Sequence, residues 1–218
     1  MTVHHHPGSD LLLSYAAGSL AESWSIAIAA HLSHCSSCRQ DIDLAETVGG
    51  VLLNDVAAER MAPGALETVL QAIGHTEQDA PLRALLPEGP TPVLPKSVRD
   101  YVGGDVNDIV WQRLGKDAFQ YLIETRDDDA QARLLRIKAG RPVPRHGHGG
   151  RELTLVVAGR FEDEISAFGP GDLEDVDEET VHKPVAGIGE DCICLAVTDA
   201  PLRFKEFLPR VLQPILRI

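Results

Sequence analysis

The sequence has little cysteine: four residues in 218. The opening stretch, MTVHHHPGSD, carries neither a basic region nor an apolar run, so it does not read as a secretory leader. Few thiols and no leader exclude a disulfide-stapled secreted scaffold and place the chain in a reducing compartment, the cytoplasm. There, close cysteine pairs signal metal or redox chemistry. Long hydrophobic runs are also missing. No stretch of 18 uncharged apolar residues occurs, which excludes a membrane-spanning helix. Positive charge is in deficit, with 20 Lys and Arg against 33 Asp and Glu and a net charge of −13. A nucleic-acid surface needs a basic patch, so direct nucleic-acid binding is not expected; a partner with a basic face is.

What is present divides the chain. Apolar residues make up 44%, enough for a sizeable core. Residues 9–74 carry helical signals and no convincing strand. Ser9 is positioned to cap DLLLSYAAGS. A second helix spans Glu22 to Leu32, with Trp24, Ile26, Ile28 and Leu32. A third runs from Ile42 to Leu53. A short fourth lies near Leu66 to Ile73, between Pro63-Gly64 and Gly74. Five prolines then fall at 81, 87, 90, 92 and 95, a density that breaks helix and extends the chain, with Leu82, Leu85 and Leu86 available to dock locally. Beyond residue 97 the pattern changes to short strands, ARLLRIKAG, ELTLVVAGRF and CICLAVT, separated by glycine turns. The expected fold is two-domain: an N-terminal all-α domain over 1–75, a Pro-rich linker over 76–96, and an all-β barrel or jelly roll over 97–218. The first 74 residues hold 2 basic against 8 acidic side chains, net −6.

Two constellations carry chemistry. In HLSHCSSC, His31 and Cys35 stand four apart, so one helix face presents both, and Cys38 follows three later. An imidazole and two thiolates suit zinc. A single helix cannot surround an ion, so a fourth ligand must come from elsewhere. His34 is close but rotated away, and reads as solvated. His5 and His6 at the chain start are the other candidates, with His6 favoured and His5 the fallback. A ligand from there staples the start of the chain onto the second helix, and stabilises a core that about 70 residues make only marginally.

A terminal histidine run followed by HxxxCxxC in a small acidic helical domain resembles the zinc-binding anti-sigma domain. The resemblance implies a zinc site of His6, His31, Cys35 and Cys38. It also implies helices that lodge between the two domains of an extracytoplasmic-function sigma factor and hide its polymerase-binding surfaces.

The second constellation is GRPVPRHGHGGRELTLVVAG, residues 140–159. His146 and His148 alternate onto one strand face, and Glu152 follows a Gly-Gly turn. GPGDLEDVDEETVHKP, residues 169–184, adds His182 after a Gly-Asp turn. Three histidines and a carboxylate bind zinc, iron, manganese or nickel. The first stretch matches the cupin metal motif at every fixed position. The second is looser, since Lys183-Pro184 stand where an asparagine often follows the histidine.

A zinc anti-sigma domain joined to a cupin resembles the ChrR-type anti-sigma factors, and the likeness extends through DYVGGDVNDIVWQRLG, DCICLAVTDAPLRF and FLPRVLQPILRI. It implies a non-enzymatic regulator of a group IV sigma factor. The helical domain inhibits, and the zinc-holding cupin domain is required for release under an oxidative signal such as singlet oxygen, with a regulatory protease as a further partner. The competing readings are a metal-dependent cupin enzyme, a dioxygenase or isomerase with an appended helical regulator, and a cupin that senses a small ligand. Cys192 and Cys194 share a strand face. They read as small core thiols, with an oxidisable pair as the alternative. Trp111 reads as a packing residue; Trp24 and the histidines are further oxidisable groups.

Overall fold

The computed structural model describes residues 2–74 and 91–204. Most of the Pro-rich segment, with Leu82, Leu85 and Leu86, and the C-terminal FLPRVLQPILRI lie outside the described residues. The N-terminal part holds α1 (Ser9–Ala16), α2 (Glu22–Leu32), α3 (Ser36–Asn54) and α4 (Ala65–Gly74). Ser9 does not cap α1. It is the first helical residue, behind a Gly8 N-cap that makes no side-chain bond.

The spacing of His31 and Cys35 suits one helix face, but the structure does not use it. α2 stops at Leu32, and Cys35 is the N-cap of α3, its sulfur accepting the Cys38 amide at 3.4 Å. The Ser33 hydroxyl bonds back to the Ala30 carbonyl at 2.6 Å and tightens the last turn. The break has a geometric reason. On a continuous helix His31 and Cys38 would stand seven residues and about 10 Å apart along the axis, beyond the reach of one ion. Turning the chain between two helices brings Cys38 back beside His31.

A short helix unforeseen in the sequence, α5 (Lys96–Val102), opens the second part. Pro95 is its N-cap, and Gly103, with φ of +75°, ends it in the left-handed conformation that glycine tolerates. The strands follow: β1 (Gln112–Arg113), β2 (Ala118–Ile123), β3 (Gln131–Ile137), β4 (His146–His148), β5 (Glu152–Ala158), β6 (Phe161–Glu162), β7 (Ala167–Phe168), β8 (Leu173–Val176), β9 (Val181–His182), β10 (Val185–Ala186), β11 (Cys192–Thr198) and β12 (Leu202–Phe204). They form a six-stranded sheet in the order β1-β2-β3-β11-β5-β8 and two three-stranded sheets, β10-β6-β7 and β12-β4-β9. The described sheets are not a closed barrel, contrary to the sequence expectation. Several strands are only two or three residues long and do not extend the ladder from one sheet to the next.

The large sheet is apolar on both faces, and this explains why CICLAVT shows no polar alternation. Ile193, Leu195 and Val197 of β11 join Leu134, Leu153 and Leu155 in a core shared with Ile26, Ala27, Ile28 and Ala30 of α2. The intervening Cys192 and Cys194 face the other way, toward Ile137, Val156, Phe161 and Phe168 inside the β domain. The helical part is thus seated on the outer face of the sheet. Polar contacts pin its edges. The Asp127 carboxylate accepts the Glu22 and Ser23 amides at 3.0 and 2.6 Å, capping α2 from across the interface. Arg151 bonds Asp10 at 2.8 Å.

Candidate metal centres

His6, His31, Cys35 and Cys38 converge, each offering a donor atom within 4.8 Å of the others. His31 Nε2 lies 3.3 Å from Cys38 Sγ, and His6 Nδ1 lies 3.3 and 3.4 Å from Cys35 Sγ and Cys38 Sγ. Tetrahedral ligands at zinc bond lengths stand about 3.3 to 3.8 Å apart, so the spacing fits an ion of that size. His31 and both cysteines are buried, and His6 is exposed. Burial and the Cys35 sulfur push the Cys38 thiol up to about 12. It stays protonated at neutral pH unless a cation stabilises the thiolate, and metal binding there releases a proton. Burial pushes His31 down to about 4, so its ring is neutral. His31 Nδ1 donates to the Gly171 carbonyl at 2.9 Å, which leaves the Nε2 lone pair for an ion. His5, the fallback ligand, is engaged elsewhere: Nε2 shares a hydrogen bond with Ser166 Oγ at 2.9 Å and the ring packs on Phe168. His34 is exposed, as expected.

The second cluster joins His146, His148, Glu152 and His182, all buried. In the structure β4 and β9 pair with each other, His146 opposite His182, while Glu152 begins β5 on the large sheet. The site therefore bridges two sheets. His146 Nδ1 donates to the Pro144 carbonyl at 2.8 Å and His182 Nδ1 to Asp163 at 2.7 Å. In the neutral rings their Nε2 atoms carry lone pairs, and they face each other at 3.2 Å. His148 Nε2 is 3.2 Å from His182 Nε2. Two bare lone pairs at that distance repel unless a cation or proton lies between them, so the donor set fits a divalent metal. Burial alone raises the Glu152 carboxyl, but the neighbouring His148 and His146 rings outweigh it and hold the group below its ordinary range. Glu152 is thus an anionic candidate donor at neutral pH.

Sequence reasoning missed the layer behind the ligands. Asp163 and Glu174 flank His182, with Glu174 Oε1 3.4 Å from its Nδ1. Burial opposes charge on His182, yet these carboxylates raise it to about 9. Burial and the adjacent Asp163 raise Glu174 to about 7. Glu174 stands two residues past Asp172 on β8, a strand the sequence reading did not identify, and nothing local to Asp163 marks it. Arg133 is another buried group, bonded to Gln120 at 3.1 Å. Cys192 and Cys194 are buried with sulfurs 3.5 Å apart. The neighbouring Cys192 sulfur and burial hold the Cys194 thiol well above its ordinary value, which disfavours a reactive thiolate.

The fold and its clusters define a class: a cupin-like β domain carrying a His3Glu set, with a helical module on its sheet gathered by a His2Cys2 set. The family described as the ChrR cupin-like domain matches residues 100–201. The anti-sigma-E factor ChrR of Cereibacter sphaeroides is 45% identical over 219 residues, covering 100% of both chains. The crystal structure of Rhodobacter sphaeroides SigE in complex with the anti-sigma ChrR matches with a TM-score of 0.78 and 42% identity, over 91% of this chain and 100% of that one. The chain belongs to the ChrR family of anti-sigma factors.

Proposed function

We propose that this chain is a cytoplasmic anti-sigma factor that binds a group IV, extracytoplasmic-function sigma factor and covers its polymerase-binding surfaces. The observation that carries this reading is an apolar ridge on the helical part. Leu44, Val48, Val51 and Leu52 of α3 and Leu66, Val69, Leu70 and Ile73 of α4 recur at helical spacing, and each is more than half exposed. An uncovered stripe of this kind is what an amphipathic helix presents to a partner groove. The relative solved with SigE supports the choice of partner. The acidic balance fits a partner with a basic face rather than DNA. Among the described residues no helix is long and apolar enough to cross a membrane.

Zinc in the His6, His31, Cys35 and Cys38 site holds the chain start, α2 and α3 in the binding geometry. The thiolate pair favours zinc there. A second zinc, or another divalent transition metal, occupies the cupin set of His146, His148, Glu152 and His182. The cupin domain serves release under an oxidative signal such as singlet oxygen, and the Pro-rich segment between the parts passes the change on, exposing the chain to a regulatory protease. The family is one of regulators, so the cupin metal organises a sensor and does not turn over a substrate. Co-purification of the chain with the sigma factor, followed by transcription with and without added chain, tests the reading. Stoichiometric capture and repression support it; an inert chain with both metals loaded overturns it.

A further inference from the structure

The two candidate centres meet through one turn of the β domain. Residues 169–172, Gly-Pro-Gly-Asp, lead into β8. The Gly171 carbonyl accepts the His31 Nδ1 proton at 2.9 Å. Asp172 Oδ1 accepts the His4 and His5 amides at 2.6 and 2.9 Å, and the Leu173 amide donates to the His5 carbonyl at 3.2 Å. The backbone just before His6 is therefore held by the β domain. Only glycine permits this approach at 171. Its φ is +91°, and a Cβ there would lie 2.8 Å from the His34 Cβ and 2.9 Å from Val3. The turn is itself fixed. Asp172 Oδ2 accepts the Gly169 amide at 2.8 Å, and Gly171 and Asp172 exchange backbone bonds with Val156 of β5. Two residues beyond Asp172, the Glu174 side chain lies 3.4 Å from His182 Nδ1.

We propose that the Gly169–Asp172 turn is an outer-sphere part of the first metal centre, and that β8 couples that centre to the cupin metal set. Gly171 and Asp172 are positioning residues. The carbonyl sets the His31 tautomer and ring orientation, and the carboxylate fixes the reach of His6. Partners of this kind commonly set metal affinity by ten- to a hundredfold. A change at His182 moves Glu174 and β8, and thus alters how firmly the first ion is held. By linkage the effect is reciprocal. The inference deepens the regulatory reading by supplying a route from sensor to helices, and it rests on that reading only for what the route signals.

The test uses the full chain with cobalt in the first centre, whose two thiolates give a charge-transfer absorption that an all-nitrogen-and-oxygen site lacks. Decay of that band on adding a chelator reports the first ion alone. Asp172→Ala is expected to speed decay about tenfold or more and alter the spectrum, with Asp172→Asn, which keeps an acceptor oxygen, partly restoring both. Glu174→Gln, on β8, is expected to change the decay rate severalfold. In the wild-type chain, decay with the cupin set loaded and stripped is expected to differ, a comparison that stands even if a variant does not fold. Equal wild-type rates in the two loading states overturn the coupling, and wild-type decay in folded Asp172→Ala overturns the outer-sphere role. None of these readouts contains sigma factor. A chain that fails to capture sigma therefore leaves the coupling standing, and an unchanged decay leaves sigma capture standing.

Discussion

At the scale of single residues, the donor atoms decide most. Cys35 and Cys38 each lie within 3.4 Å of His6 Nδ1, so both thiols converge on the histidine that the chain start supplies. Replacing both by serine is expected to remove one metal per chain and abolish sigma binding, measured by metal analysis and co-purification. Protons compete for the same atoms. In the metal-free protein, burial holds His31 and His146 at about 4, against an ordinary 6.5. Between those values the unfolded chain binds more protons than the folded one, so these two residues cost stability as pH falls through that window. Glu174, raised to about 7 from 4.5, acts in the opposite sense over part of the range, but is one group against two. His182, raised to about 9, contributes stability that is full below 6.5 and lost as pH rises through 9. Urea midpoints of the stripped protein are therefore expected to drop as pH falls from 6.5 to 4 and again as it rises from 6.5 to 9.

At the scale of elements, α2 and the pair α3–α4 show opposite uses of apolar residues. α2 is buried on several sides, with Ala27, Ile28 and Ala30 fully enclosed. Its small residues let the helix backbone approach the sheet. Ala27→Leu overpacks that contact and is expected to cost about 1–3 kcal/mol, read from the urea midpoint. The second half of α3, and α4, leave their apolar stripe outside. Val48→Asp with Leu70→Asp is expected to leave thermal stability and metal content near wild type, because both side chains are already exposed. Sigma affinity is expected to fall by a hundredfold or more, measured by titration. The same stripe, removed from water at an interface, is what that binding uses.

At the scale of the molecule, the helical part and the β domain share one apolar core. A sequence reading that sees a Pro-rich segment between two textures has no means of detecting this, because the shared core is made of residues some hundred positions apart. The arrangement still permits a division of labour. Glu152→Gln is expected to reduce metal from two ions per chain to one, leave sigma capture within about threefold, and blunt release. Metal counting, co-purification and an induction assay read these three effects.

The sequence by itself determined which metal-capable side chains recur at close spacing. HxxxCxxC and HxHxxxE are local patterns in which residue type and spacing name candidate donors, so these clusters were legible without coordinates. It also determined the texture of the parts, since helical period and short strands are properties of neighbouring residues. The tertiary structure alone decided how the donors are oriented and where the parts meet. The break between α2 and α3, the bridging of two sheets by the cupin set, Asp163 and Glu174 behind His182, and the Gly171 carbonyl on His31 all depend on contacts between segments distant in sequence. Hydrogen bonds of that kind select a tautomer or a turn only after the backbone has folded, and composition and periodicity carry no trace of them.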